Sequence, residues 1–224
     1  MTAEHHIPAM PIEAPRRRMP AAERRELIVG AALEEFAQHG YEGASMGRIG
    51  AAAGVSRTVL YDHFPHKRAL FADLLRETHA SLLAHLRERI AADAPMEQRM
   101  RDATDAFFAF AESQRSAFML LFPEHAPIDP DVAADHRRER AASNRLLAAL
   151  IAPDAERAGL DPRSPVGQAI FALQQSALHG AVRWWHAHPE VDRRQLVTAA
   201  MGLMWTGIGG LERGEPWDGN GAGA

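Results

Sequence analysis

Two short apolar segments joined by Gly54-Val55 constrain this chain more than any other feature. Residues 46–53 follow Ser45 and residues 57–63 follow Ser56, and both serines are good helix N-caps. Two short helices that cross steeply need a turn residue with positive φ, and Gly54 supplies it. Small residues at Gly50 and Ala53 let the helices approach, and Ile49, Val55 and Leu60 have the spacing of a miniature core beneath the turn. Neither helix is long enough to be stable alone. The pair must therefore pack on another element, and the segment from Ala21 to His39 offers one: Ile28, Ala32 and Phe36 share a helical face that ends at Gly40.

Helical periodicity continues after Pro65. Further helices are expected at about 66–91, 96–113, 115–122, 130–151, 164–187 and 192–212, with breaks at Pro95, Pro123 to Pro130, Pro153 to Pro165 and Pro189. No stretch alternates like a strand, so the expected class is all-α. The chain divides into a flexible basic arm (1–20), a helix-turn-helix unit (21–68), a helical body (69–213) and a Gly-rich disordered tail (214–224). Cysteine is absent, which excludes disulfides, thiolate zinc sites and cysteine catalysis and suits a reducing cytoplasm. No apolar run approaches a membrane span of about 18 residues, and the N-terminus lacks the apolar core of a signal peptide.

A net charge of -4 looks wrong for a nucleic-acid binder, but its distribution is uneven. Between Pro15 and Leu70 there are nine basic residues (Arg16, Arg17, Arg18, Arg24, Arg25, Arg48, Arg57, Lys67, Arg68) and six acids (Glu23, Glu26, Glu34, Glu35, Glu42, Asp62), so this part carries +3. A mildly basic head on an acidic body fits a local phosphate footprint. The second short helix would present Arg57, Thr58, Val59 and Tyr61 to solvent, the position from which helix-turn-helix units enter the major groove. There Arg57 can pair with guanine O6/N7, and Thr58 or Val59 can meet a thymine methyl or base edge. Ser56 starts this helix. Tyr61, His63 and Lys67 fall toward the backbone for phosphate contacts, and Ser45 and Arg48, at the start of the first short helix, join them.

The run GRIGAAAGVSRTVLYDHFPHKRALF resembles the signature of TetR/AcrR-type transcriptional regulators, tightly over residues 45–71 and more loosely over the preceding helix. The resemblance implies Arg57 and Thr58 in the groove and Tyr61, His63 and Lys67 on phosphate. It also implies a homodimer, a ligand-sensing body, and most often repression. Two residues depart from the pattern. Val59 stands where a hydroxyl is common, and Arg68 replaces a frequent acid.

The body carries less diagnostic chemistry. Leu196 to Leu211 is apolar nearly all round and dotted with glycines, so it needs cover on every side. A partner subunit provides it most simply, with Trp185, Met201, Met204, Trp205 and Ile208 as the expected dimer interface; a central core helix of a monomer is the other reading. Gln174 falls within the apolar face of 164–187 and must meet a ligand, a backbone carbonyl or its own mate across a two-fold axis. The aromatic stripe of Phe107, Phe110, Phe118, Met119 and Phe122 reads first as plain core. In the resemblance it lines an inducer cavity together with Gln174 and Leu178, for an apolar or aromatic molecule rather than a phosphorylated one. The histidines match no metal spacing, and no cofactor is expected. No nucleophile elbow, phosphate loop or dinucleotide fingerprint points to an enzyme. A DNA-binding adaptor with a protein partner in place of a small molecule remains the alternative.

Overall fold

The computed structural model describes residues 19–90, 93–125, 127–157 and 159–212, the last eight as backbone. The expected arm up to residue 18 and the tail from 213 lie outside these residues. Among the described residues there are helices and no strands: α1 (Ala21–Gly43), α2 (Met46–Ala52), α3 (Arg57–His63), α4 (Lys67–Arg89), α5 (Met96–Ser113), α6 (Arg115–Leu121), α7 (Pro130–Arg157), α8 (Pro165–His186) and α9 (Arg193–Glu212). No helix among them is long and apolar enough to cross a membrane.

Helices α1 to α3 form the head. Gly40 takes φ 65° and kinks α1, which then runs one more turn to Gly43. Ile28, Ala32 and Phe36 on α1, Ile49 on α2 and Leu60 on α3 are all buried, so the three helices close one small core. That core continues into Leu70, Phe71 and Leu74 of α4, and Phe71 meets the rings of Phe36 and Tyr41 edge-on at 5.0 and 5.1 Å. The head therefore merges with the first turns of α4 and is not an independent bead.

In the body α4 packs on α5 and α7, and α5 packs on α9, while α6 lies against α1. Two expectations about helix ends are corrected here. α7 does not break at Pro153 but continues to Arg157. A proline interrupts a helix because it lacks an N–H and crowds the preceding turn, but this one lies near the helix end. The turn that follows it is pinned by Asp154, which is nearly buried and bonded to Arg99 Nε at 2.9 Å. Ser45 does not cap α2 with its side chain, whereas Ser56 and His66 do cap α3 and α4, accepting from Val59 N and Ala69 N.

Candidate nucleic-acid interface and ligand cavity

Gly54 sits at φ 67° between α2 and α3, a left-handed conformation that side chains with Cβ rarely adopt. The turn closes with Val55 N donating to Gly50 O at 3.0 Å. A Cβ on Gly50 would stand 3.3 Å from Leu60 Cδ2, so the close approach inferred from small residues is present. Arg57 and Thr58 are exposed at the start of α3, Val59 is partly buried, and Tyr61 is exposed with the Arg57 guanidinium 5.4 Å from its ring centre. A concavity of about 580 Å³ runs beside α3 and gathers Ser45, Arg57, Tyr61, His66 and Lys67 along one side of the head.

Three residues placed on phosphate by sequence, two through their side chains and Ser45 through its backbone N–H, have partners within the chain. Lys67 Nζ donates to the carbonyls of Tyr41 (2.7 Å), Ala44 (3.0 Å) and Glu42 (3.3 Å) and lies 4.5 Å from the Tyr41 ring centre. An ammonium has three protons. All three are directed at the carbonyl-rich end of α1, so Lys67 fastens α4 to α1. Arg48 pairs with Glu35, its Nε donating to Oε1 at 2.8 Å, and also donates to the Gly43 carbonyl. Ser45 N donates to the same Glu35 oxygen at 2.8 Å. Glu35 was missed by the sequence reading. It is buried among the apolar positions of α1, and the Arg48 hydrogen bond holds its carboxyl below the usual range. Its signal was an acid beside Ala32 and Phe36 on the face that packs. His63 remains half-buried beside Phe64.

The body holds a cavity of about 1010 Å³ between the far end of α4 and helices α5, α7 and α8. Its walls are mainly Ala, Leu, Ile and Met, and its charged lining residues are Arg99, Arg145 and Arg163 against the single acid Asp154. Of the residues expected to line it, Gln174 and Leu178 do. The aromatic part of the expectation is corrected. Phe107, Phe110 and Phe118 are buried in solid core, Met119 points outward with 39% exposure, and Phe122 stacks on His179 with ring centres 3.9 Å apart. Phe107 meets Phe118 of α6 and Phe110 meets His85 of α4, at the C-terminal half of α5, while the cavity lies along the N-terminal half of the same face, at Met96, Met100 and Ala103.

Three histidines of the body are buried, His79, His136 and His179, and the last packs against the rings of Phe107, Phe118 and Phe122. Both ring nitrogens of His79 and Nε2 of the other two have no hydrogen-bond partner. Burial, reinforced by the neighbouring Arg140, pushes His79 down to about 4 and His179 to about 3. They are neutral core groups at physiological pH.

The expected dimer residues separate into two kinds. Trp185 is buried within the chain, edge-on to Phe108, and its Nε1 donates to Val191 O. Met201 is buried against Thr104 of α5. Both therefore serve the chain's own core, because they lie on the inner faces of α8 and α9. Met204 is partly buried, and the side chains of Trp205 and Ile208 lie outside the described residues. The outer face carries Val166, Leu173 and Trp184 on α8 and Leu203 on α9, exposed by 65, 71, 49 and 74%.

The pattern of bacterial regulatory proteins of the tetR family matches residues 28–74, which span most of α1 through the first turns of α4. The HTH-type transcriptional activator FasR of Mycolicibacterium smegmatis is 30% identical over 209 residues, covering 92% of this chain and 94% of that protein. The chain belongs to the tetR family. Among solved structures, the fatty acid degradation regulator FadR of Bacillus halodurans superposes with TM-score 0.70 at 19% identity, covering 83% of this chain and 98% of that one. FadR of Bacillus subtilis, solved with stearoyl-CoA, gives 0.68 at 15%, covering 80% and 97%. This tetR-family chain is accordingly a DNA-binding helix-turn-helix transcriptional regulator.

Proposed function

We propose that this tetR-family regulator binds a pseudo-palindromic operator as a cytoplasmic homodimer. We further propose that it is released by an amphipathic anion with a long apolar tail, of the acyl-CoA class, held in the body. The cavity between α5, α7 and α8 carries this reading: apolar walls suit a chain, and Arg145 and Arg163, beside the Arg99–Asp154 pair, suit an anionic head. Its volume lies at the upper end of the roughly 300–1,000 Å³ of small-molecule sites. The arginines move the expected ligand from a purely apolar or aromatic molecule to a charged amphiphile. The stearoyl-CoA bound by the Bacillus subtilis relative is of this chemistry. A cavity of this kind also favours a sensor over an adaptor with a protein partner.

The exposed stripe of Val166, Leu173, Trp184 and Leu203 supports dimerisation through the outer faces of α8 and α9. Two α3 helices related by a two-fold axis would then enter successive major grooves about 34–36 Å apart. Repression is the reading drawn from the family resemblance. Activation is the second reading, favoured by the name of the M. smegmatis relative, which aligns over nearly the whole chain. Sequencing the DNA fragments selected by the purified protein tests the operator. An inverted repeat is expected, and selection of no common sequence contradicts the proposal. Titration with stearoyl-CoA under native mass spectrometry is expected to show one ligand per chain.

A further inference from the structure

We infer that the first turn of α4 is a two-sided clasp, in which the Arg68–Asp135 ion pair lets α7 position the DNA-reading head. Lys67 and Arg68 are neighbours in sequence with partners on opposite sides. Lys67 holds the end of α1 through three carbonyls. Arg68 reaches to α7, with Nε 2.7 Å from Asp135 Oδ2 and Nη1 2.9 Å from Asp131 Oδ2. The Asp135 side chain is only 10% exposed, and Arg138 holds its other oxygen. A second tie runs alongside. The Glu42 carboxylate accepts from Ile128 N at 2.6 Å and from Asp129 N at 3.2 Å, in the segment that leads into α7. The head is thus fastened to the start of α7 at two points, one on α4 and one on α1.

The other stretch of α7 walls the cavity, from Ala141 to Ala155. Ala141 is six residues beyond Asp135, about 9 Å along the helix at 1.5 Å per residue. α4 lines the cavity only through Leu86 and Ile90, and Leu86 lies about 27 Å from Arg68 on the same scale. α7 is therefore the shorter mechanical route from cavity to head. A displacement of α7 passes through the ion pair to the Lys67–Arg68 turn, and through Lys67 to the junction of α1 with α2. Arg68 is 40% exposed and Asp135 only 10%, so the pair is half-buried, and Asp135→Asn removes its charge while keeping the side chain's size and the second contact from Arg138. Stability measured beside DNA affinity separates the pair's geometric effect from its contribution to folding. The inference uses the ligand-release reading only for what moves α7, and its test needs no ligand.

The experiment uses the full chain and a duplex selected from genomic fragments by the wild-type protein, with affinity read by fluorescence anisotropy at several salt concentrations. Asp135→Asn and Arg68→Gln are each expected to weaken binding about fivefold or more, at the low end of usual couplings between sites. The double variant should weaken it no more than either single one, and Asp135→Glu should stay within about twofold of wild type, with every variant folded at the assay temperature by circular dichroism. Unchanged affinity in Asp135→Asn, or additive losses in the double variant, would overturn the clasp. So would a gain in affinity with a steeper salt dependence, because Asp135 would then only be screening Arg68 from phosphate. Hydrogen exchange without DNA gives an arm independent of any operator. Asp135→Asn should raise exchange across residues 41–66 and leave α8 unchanged, and identical exchange across 41–66 overturns the clasp even if no operator is found.

Discussion

Replacing Lys67 by Met separates two roles for one ammonium group. Its Nζ lies 2.7 to 3.3 Å from three backbone carbonyls at the end of α1. A hydrogen bond from a charged donor contributes about 1.5–3 kcal/mol, and a stranded buried acceptor costs about 1–3 kcal/mol. Glu42 is exposed and water can replace its bond, while the bonds to Tyr41 and Ala44 are part-buried. Counting those two and discounting for partial exposure, Lys67→Met should destabilise by about 2–4 kcal/mol. For a chain of this size that is a fall in melting temperature of roughly 4–16 °C. Arg should rescue poorly, since a planar guanidinium fork cannot direct its protons at three converging carbonyls. Urea unfolding followed by circular dichroism measures the loss, and operator titration across salt gives the companion reading. Stability within about 0.5 kcal/mol of wild type, with a salt slope reduced by about one, would refute the reasoning and return Lys67 to the phosphate backbone.

Arg57→Ala should cost roughly 1–3 kcal/mol of operator affinity and relax base choice at one position, read by selecting fragments with the variant; equal loss on random DNA would contradict a base contact. His79 and His179 are depressed in the folded state from an ordinary value of 6.5, so the unfolded chain binds more protons below that value. Their contribution is complete above about pH 6.5 and is lost as the pH falls toward 4 and 3. The urea midpoint should therefore drop between pH 7.5 and 5, and His79→Leu should flatten the fall. A Cβ on Gly167 would meet Asp161 O at 2.2 Å, a backbone atom that cannot swing away. Gly167→Ala should destabilise by about 1–3 kcal/mol, as overpacking does, and a melting curve checks it. Light scattering should find a dimer for the wild-type chain and a monomer for Leu173→Arg with Leu203→Glu, with the circular dichroism spectrum unchanged; a wild-type monomer would contradict the proposed dimer.

The helix-turn-helix was legible because its requirements are local. Gly54 needs positive φ, Gly50 needs to be small, and Ile49 and Leu60 need to meet, and each can be read from a few residues. Helix ends were legible where a cap or proline acted alone, as at Ser56 and Pro95. Pro153 misled because the Arg99–Asp154 pair, which joins residues 55 positions apart, lies outside any local window. The intramolecular partners of Lys67 were not legible for the same reason, since its carbonyls belong to the end of α1, 23 to 26 residues earlier, and a charge's partners do not show in periodicity. The aromatic residues and the cavity share one face of α5 at its two ends, and spacing alone cannot say which end of a face meets a neighbour and which meets a gap. Trp185 and Met201 satisfied the apolar pattern of an interface, but that pattern is the same for a core within the chain and a core between chains.

Coupling between the cavity and the DNA-binding head must be reciprocal. Calorimetry of stearoyl-CoA with the protein alone and with its operator complex gives two ligand affinities, and operator titrations with and without stearoyl-CoA give two more. Operator is expected to weaken the ligand by the same factor by which ligand weakens operator, within the usual 5–150-fold of coupled sites. Equal ligand affinities in the presence and absence of operator would contradict it, even with the molecule seated in the cavity.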